Sequence, residues 1–157
     1  MLALTLWRPW SDAIVRGAKP IENRGWWRSS VIGKTIAIHG GLRYDAEGAR
    51  SMAPLWTPPG SADSPQGIVG MARVAGVIAP GEGDDGDECP VILAGVPGVH
   101  VDVDLRWWTG RSFGWVLDQR VAIAPVPCRG AQGLWTVPAD VAAIVEERVR
   151  AVRGGRS

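Results

Sequence analysis

The pattern of apolar and polar residues along the chain predicts a series of short strands interrupted by a few helices. The segment from Leu2 to Trp7 has the apolar alternation of a half-buried strand. Pro9 suits the first position of a helix, the apolar residues through Ile14 fall on one helical face, and Gly17 suits the carboxyl cap. The chain is therefore expected to begin with a strand and a short helix.

The next segments predict two more strands, another short helix and a loop. Residues 19–24 have an extended pattern, and residues 34–39 (KTIAIH) predict a buried strand that two glycines end. Asp45 can cap a helix that ends near residue 52. A Pro/Gly/Ser-rich loop at 54–66 then precedes a long central strand at 67–79, with a bend expected at one of its internal glycines.

The second half of the chain gives a weaker pattern. Residues 81–88 form an acidic loop that is expected to be flexible, and residues 90–104 predict no definite element. Two apolar runs, 112–117 and 119–124, predict the strands of a hairpin.

The chain is predicted to close with a short strand at 134–137 and an amphipathic helix at 138–152. The apolar face of that helix consists of Val141, Ile144, Val145, Val149 and Val152. The polar tail, 153–157, is expected to fray.

These elements predict a mainly β, α+β fold. There are five to seven strands without βαβ alternation, which favours a closed or half-closed β-barrel with two or three peripheral helices over a doubly wound sheet. With 157 residues and no internal repeat, the chain is expected to be a single domain covering 1–157.

Composition narrows the classes of protein. No apolar stretch approaches the roughly 20 residues of a membrane span, and no signal-peptide pattern begins the chain, so a cytoplasmic protein without a membrane partner is expected. Cys89 and Cys128 match neither a metal motif nor a disulfide framework, which predicts free thiols and no metal. Signatures for phosphate-binding loops, dinucleotide binding and zinc hydrolysis are absent, so no cofactor is expected.

The charge of the chain permits a nucleic-acid partner without requiring one. The net charge is +1, from 17 basic and 16 acidic residues, and five of the acids fall within 82–88, which leaves +6 (17 − 11) on the remainder. Fifteen of the basic residues are arginines, which suit bidentate phosphate contacts, although a GC-rich genome also produces arginine. Nine tryptophans could pack in a core or stack on bases.

Three ordered segments of the chain resemble the ASCH family of the PUA-like superfamily. They are residues 4–24 (LTLWRPWSDAIVRGAKPIENR, with a G-x-K-x-x-E-x-R signature), residues 32–41 (IGKTIAIHGG), and the closing pair 113–117 and 125–138. The resemblance implies a PUA-like pseudobarrel with a cleft beside the first helix. It also implies binding of RNA or a nucleotide-like ligand, with a modified base as one candidate and DNA as an alternative.

The signature supplies Lys19, Glu22 and Arg24 as predicted ligand-binding residues. Glu22 and Arg24 share a face of an ideal strand, while Lys19, between Ala18 and Pro20, is expected to sit in the turn and swing toward them. Such a group could bind a phosphate and accept a hydrogen bond from the amino group of a base. The structural alternative is a salt bridge that only stabilises the strand.

Five further residues are predicted to contact the ligand. Arg8 and Trp10 stand at the junction of the first strand and helix, and His39 ends a buried strand. Gln132 could supply an amide for a base edge, and Trp135 a stacking surface.

Catalysis is an open alternative to binding. Lys19, Glu22 and His39 are the candidate catalytic residues of a metal-independent ribonuclease or a nucleoside amidohydrolase. Related small amidohydrolases use a Lys with a Thr three residues on, and Glu22 occupies that position here, which argues against the second activity. A protein-interaction module using exposed tryptophans is a further alternative; the oligomeric state is open.

Overall fold

The computed structural model describes residues 1–81, 90–99 and 102–155. Apart from two 3-10 turns, the elements in chain order are β1 (Leu2–Arg8), α1 (Trp10–Val15), β2 (Ile21–Arg24), β3 (Thr35–Tyr44), α2 (Ala46–Met52), β4 (Gly67–Ile78), β5 (Ile92–Gly95), β6 (Phe113–Val126), β7 (Leu134–Thr136) and α3 (Ala139–Gly154). The acidic residues 82–88 lie outside the described residues, and so does Cys89.

The strands form one mixed sheet of seven, paired in the order β2-β6-β4-β3-β1-β7, with β5 paired to β4. β1 runs parallel to β3 and antiparallel to β7, while β2 runs antiparallel to β6. The predicted mainly β, α+β class with three helices is confirmed. Among the described residues the strand order is open, since it begins at β2 and ends at β7.

The chain divides into two compact units. Unit 1 comprises Met1–Ala18, Thr35–Ala72 and Gln119–Ser157, and unit 2 comprises Lys19–Lys34 and Arg73–Asp118. β4 and β6 contribute residues to both units. The single domain over 1–157 therefore stays a prediction.

The core of unit 1 lies where α3 packs on the sheet. Val145 and Val149 of α3 are buried together with Ala3 of β1 and Ala37 of β3. The predicted apolar face is wrong at Ile144, which is 41% exposed because it lies one helical step of about 100° from Val145. α3 also runs to Gly154, so the first two residues of the tail predicted to fray are helical.

The core of unit 2 is built around Trp115, whose side chain is fully buried. Its cross-strand partner on β2 is Glu22, and the next pair is Ile21 with Val116. Leu117 N donates to Pro20 O at 2.8 Å, which extends this antiparallel pairing to the residue before β2.

Two predicted boundaries are wrong. β3 continues through the glycines that were expected to end it, and a Cβ at Gly40 would lie only 2.6 Å from Pro65 O, so this glycine allows close backbone approach. The predicted hairpin is one continuous strand, β6, in which Gln119 adopts a φ of 45°. The unassigned residues 90–104 contain β5.

Candidate functional site

The predicted signature residues of unit 2 form a compact charged group, the Glu22 cluster, made of Lys19, Glu22 and Arg24. Lys19 Nζ lies 3.0 Å from Glu22 Oε2 and also donates to Ile21 O. Arg24 Nε lies 3.2 Å from Glu22 Oε1. Each carboxylate oxygen of Glu22 therefore faces one cation, as the prediction that Lys19 swings toward Glu22 requires.

Burial decreases across the Glu22 cluster. The side chain of Lys19 is 2% exposed, that of Glu22 10% and that of Arg24 21%. Burial lowers the pKa of Lys19, an effect that the neighbouring carboxylate of Glu22 partly opposes. The most exposed member of the cluster is therefore Arg24.

An aromatic pair lies next to the Glu22 cluster in sequence and in the strand register. The rings of Trp26 and Trp115 meet edge to face, with centroids 5.1 Å apart and planes at 88°. Trp115 Nε1 donates to Trp26 O at 3.1 Å. Arg28 Cζ lies over the Trp26 ring, 5.7 Å from its centroid. The orientation of the Trp26 ring is therefore fixed from the side of the core.

In unit 1, Arg8 donates to four backbone carbonyls, and this arrangement is the Arg8 cluster. The acceptors are the carbonyls of Gly41, Leu42, Ser61 and Ser64, at 2.6–2.9 Å from the guanidinium nitrogens. Arg8 is 7% exposed. Its guanidinium therefore fastens the loop at 61–64 to the end of β3.

Trp10 and Asp12 of α1 are also engaged in internal hydrogen bonds. Trp10 Nε1 donates to Asp45 Oδ2 at 2.9 Å, and Asp45 caps α2 by accepting from Gly48 N. Ser64 Oγ donates to Asp12 Oδ2. Burial raises the pKa of Asp12, although this hydrogen bond and the charges of nearby arginines oppose the rise.

His39 lies with Trp135 in a second part of unit 1. His39 Nε2 is 3.1 Å from Cys128 O, and because a carbonyl only accepts, Nε2 carries the proton. His39 Nδ1 is buried and has no hydrogen-bond partner among the described residues. The rings of His39 and Trp135 meet edge to face at 5.5 Å, and burial lowers the pKa of His39.

Arg8 and His39 lie on opposite faces of the β1–β3 pair. Thr5 pairs with His39, and a Cβ on Gly130 would contact both side chains. A Cβ on the next residue of β3, Gly40, would instead meet Ser11 Oγ and Arg8 Cγ. Since side chains alternate along a strand, the structure does not bring Arg8 and His39 together.

The fold can be compared with known proteins. No family model and no curated protein matches the chain. A solved structure of ZmASCH from Zymomonas mobilis, a tyrosine-to-phenylalanine mutant, is similar with a TM-score of 0.50 and 13% identity, covering 93% of this chain and 96% of that chain. The chain has an ASCH-like fold. At this identity the likeness concerns the fold alone.

The ASCH-like fold agrees with the resemblance of the three sequence segments, and the ligand residues stay predictions. The structure brings together Lys19, Glu22 and Arg24, which share unit 2. Gln132 is exposed. Trp26 was not among the predicted ligand residues, although it lies only two residues after Arg24.

Two further observations concern partners of this ASCH-like chain. Within residues 1–81, 90–99 and 102–155, no group of three or more His, Cys, Asp or Glu side chains could hold a metal ion. None of the helices formed by these residues is long and apolar enough to span a membrane.

Proposed function

We propose that this ASCH-like chain binds RNA or a nucleotide through the Glu22 cluster. The observation that carries the proposal is a carboxylate held between two cations, of which one, Arg24, reaches solvent. Such a group presents a positive and a negative charge in a fixed relation, which suits a ligand that has both a phosphate and an amino-bearing base.

Arg24 supplies the contact to phosphate. A guanidinium is planar and permanently charged, and it hydrogen-bonds well to phosphate oxygens. Arg24 Nε is buried and lies 3.2 Å from Glu22 Oε1, while the side chain as a whole remains 21% exposed. Less conformational freedom is then lost when a phosphate binds.

Glu22 supplies the contact to the base. Its two oxygens are oriented by Lys19 at 3.0 Å and Arg24 at 3.2 Å. A carboxylate oxygen has more than one acceptor site, so each can also accept from the exocyclic amino group of a base.

The experiment compares Arg24→Gln with Arg106→Gln. Both variants remove one positive charge from unit 2, and Arg106 is an exposed arginine paired with Asp104. The probe is a fluorescein-labelled single-stranded RNA, with DNA of the same sequence as a second arm, titrated by anisotropy at several salt concentrations. We expect Arg24→Gln to weaken RNA binding about tenfold. The slope of log affinity against log salt concentration should fall in magnitude by about one, which corresponds to the loss of one phosphate contact.

We expect the Arg106→Gln control to bind within about twofold of the unmodified chain, a range typical of surface changes away from a site. Equal losses in the two variants would mean that binding follows net charge rather than the Glu22 cluster. Absence of salt-sensitive binding by the unmodified chain would reject the proposal and favour a protein-interaction module. Tighter binding in the DNA arm would change the ligand and keep the site.

The enzymatic alternatives stay predictions. Lys19 Nζ donates both to Glu22 and to the carbonyl of Ile21 in the described structure. These two hydrogen bonds explain why the Lys19 ammonium is buried, and the explanation does not require Lys19 to transfer a proton.

A further inference from the structure

We infer that Trp26 is the surface on which a base stacks and that Arg28 covers the opposite face of that base. The inference rests on the proposed function, because it places the base of a nucleotide whose phosphate and amino group contact the Glu22 cluster.

The Trp26 ring is both accessible and fixed. It is only partly buried, and it meets the fully buried Trp115 edge to face, with ring centroids 5.1 Å apart. The hydrogen bond from Trp115 Nε1 to Trp26 O also fixes the backbone that carries the ring. An aromatic face held in one orientation is suited to stacking, since little side-chain freedom remains to be lost.

Trp115 also links the Trp26 ring to the Glu22 cluster. Glu22 and Trp115 are directly paired across β2 and β6, so their side chains project from the same face of the strand pair. Arg24 and Phe113 form the next pair on that face. Glu22 is therefore a direct neighbour of Trp115, and the Trp26 ring is in contact with Trp115.

Arg28 is placed to close over a stacked base. Its guanidinium carbon lies 5.7 Å from the Trp26 centroid, and the side chain is exposed. Two successive stacking contacts of about 3.5–4.0 Å need about 7–8 Å between the ring and the guanidinium. An outward movement of Arg28 by about 1–2 Å makes that space, and a flexible surface arginine can move this far.

The charges select the class of base. Arg28 and Arg24 both place positive charge beside the ligand, so a cationic base, such as one alkylated on a ring nitrogen, is disfavoured. Glu22 favours a base that donates from an amino group. The ligand class is therefore a phosphate-bearing nucleotide, free or in a single strand, with a neutral amino-bearing base.

The test compares Trp26→Ala with Trp27→Ala, the neighbouring and likewise partly buried tryptophan. The probes are a labelled single-stranded RNA and the same RNA with abasic sites, which keep the phosphates and lack the bases. We expect Trp26→Ala to weaken binding of the intact RNA about 5- to 100-fold and binding of the abasic RNA less than twofold. Trp27→Ala should change both by less than about twofold.

Trp26→Phe is the second variant, because it keeps a stacking ring and should recover part of the affinity even if Trp26→Ala folds poorly. Circular dichroism and the midpoint of thermal unfolding report the fold of each variant. Arg28→Ala should weaken binding of the intact RNA about threefold. It should also improve the affinity for an RNA with a cationic methylated base relative to the affinity for the intact RNA.

The outcomes separate this inference from the proposed function. Equal effects of Trp26→Ala on intact and abasic RNA, or effects no larger than those of Trp27→Ala, would overturn the stacking role while Arg24→Gln still weakened binding. If Arg24→Gln had no effect beyond that of Arg106→Gln, both the proposed function and this inference would be rejected.

Discussion

The Arg8 cluster and the Glu22 cluster each surround a buried cation, and they satisfy its charge in different ways. Arg8 donates to four backbone carbonyls, two of which belong to the loop at 61–64. Lys19 donates to the carboxylate of Glu22, whose other oxygen faces the partly exposed Arg24. The first arrangement ties backbone segments together, while the second ends at a charged group that solvent can reach.

The difference separates two roles that look alike in sequence. Both clusters come from arginines or lysines at the end of an element, and both were predicted to contact a ligand. Burial alone does not distinguish them. Arg8 donates to four backbone carbonyls, whereas the acceptors of Lys19 also include a side chain, Glu22, that leads to the partly exposed Arg24.

The largest expected effect is the loss of stability in Arg8→Met. This change leaves four buried or partly buried carbonyls without their donor, and each costs about 1–3 kcal/mol, so the free energy of unfolding should fall by at least about 4 kcal/mol. Urea unfolding followed by circular dichroism measures it. A variant as stable as the unmodified chain would remove the contrast between the two clusters.

A smaller loss is expected for Lys19→Met, because Glu22 keeps Arg24 at 3.2 Å. Breaking one partner of a buried pair costs about 3–5 kcal/mol, and we expect the lower end, about 3 kcal/mol. The double variant Lys19→Met/Glu22→Gln removes both charges and should recover more than half of that loss. If the double variant is less stable than Lys19→Met, the pair is not coupled as described.

The smallest expected effect is a pair of opposite pH dependences. Burial raises the pKa of Asp12 above 3.8, so the folded state binds more protons and the free energy of unfolding falls as pH rises from 3.8 to the raised pKa. Burial lowers the pKa of Lys19 below 10.5, so the unfolded state binds more protons and the free energy of unfolding rises with pH up to 10.5.

Urea unfolding of the unmodified chain, Asp12→Asn and Lys19→Met across these two pH ranges isolates each contribution. As pH rises through the first range, the unmodified chain should lose stability relative to Asp12→Asn. As pH rises through the second range, the unmodified chain should gain stability relative to Lys19→Met. Slopes of the same sign would show that burial does not dominate the pKa of both groups.

Local patterns were sufficient to predict several elements. Asp45 was predicted to cap a helix, and its side chain accepts from Gly48 N at 2.9 Å. The short strand and helix at the start of the chain are confirmed as well. In these cases the deciding interactions join residues close together in sequence.

The errors arise where distant residues decide the outcome. Asp118 and Gln119 look like turn residues, but Arg73 of β4 holds Asp118 through two hydrogen bonds of 2.8 and 2.6 Å, within one continuous strand. Two of the acceptors of Arg8 lie 53 and 56 residues away, so its bonds to the backbone were not predicted, while its contact with a ligand stays a prediction. No local pattern indicates such partners.

The bond from Lys19 Nζ to Ile21 O has a consequence for the backbone of β2. Because Pro20 O accepts from Leu117 N of β6 and residues alternate along a strand, the carbonyl of Ile21 points away from β6. Lys19 therefore supplies the donor for a buried backbone carbonyl as well as a cation for Glu22. Lys19→Met leaves that carbonyl without this donor, and neutralising Glu22 in the double variant does not replace it.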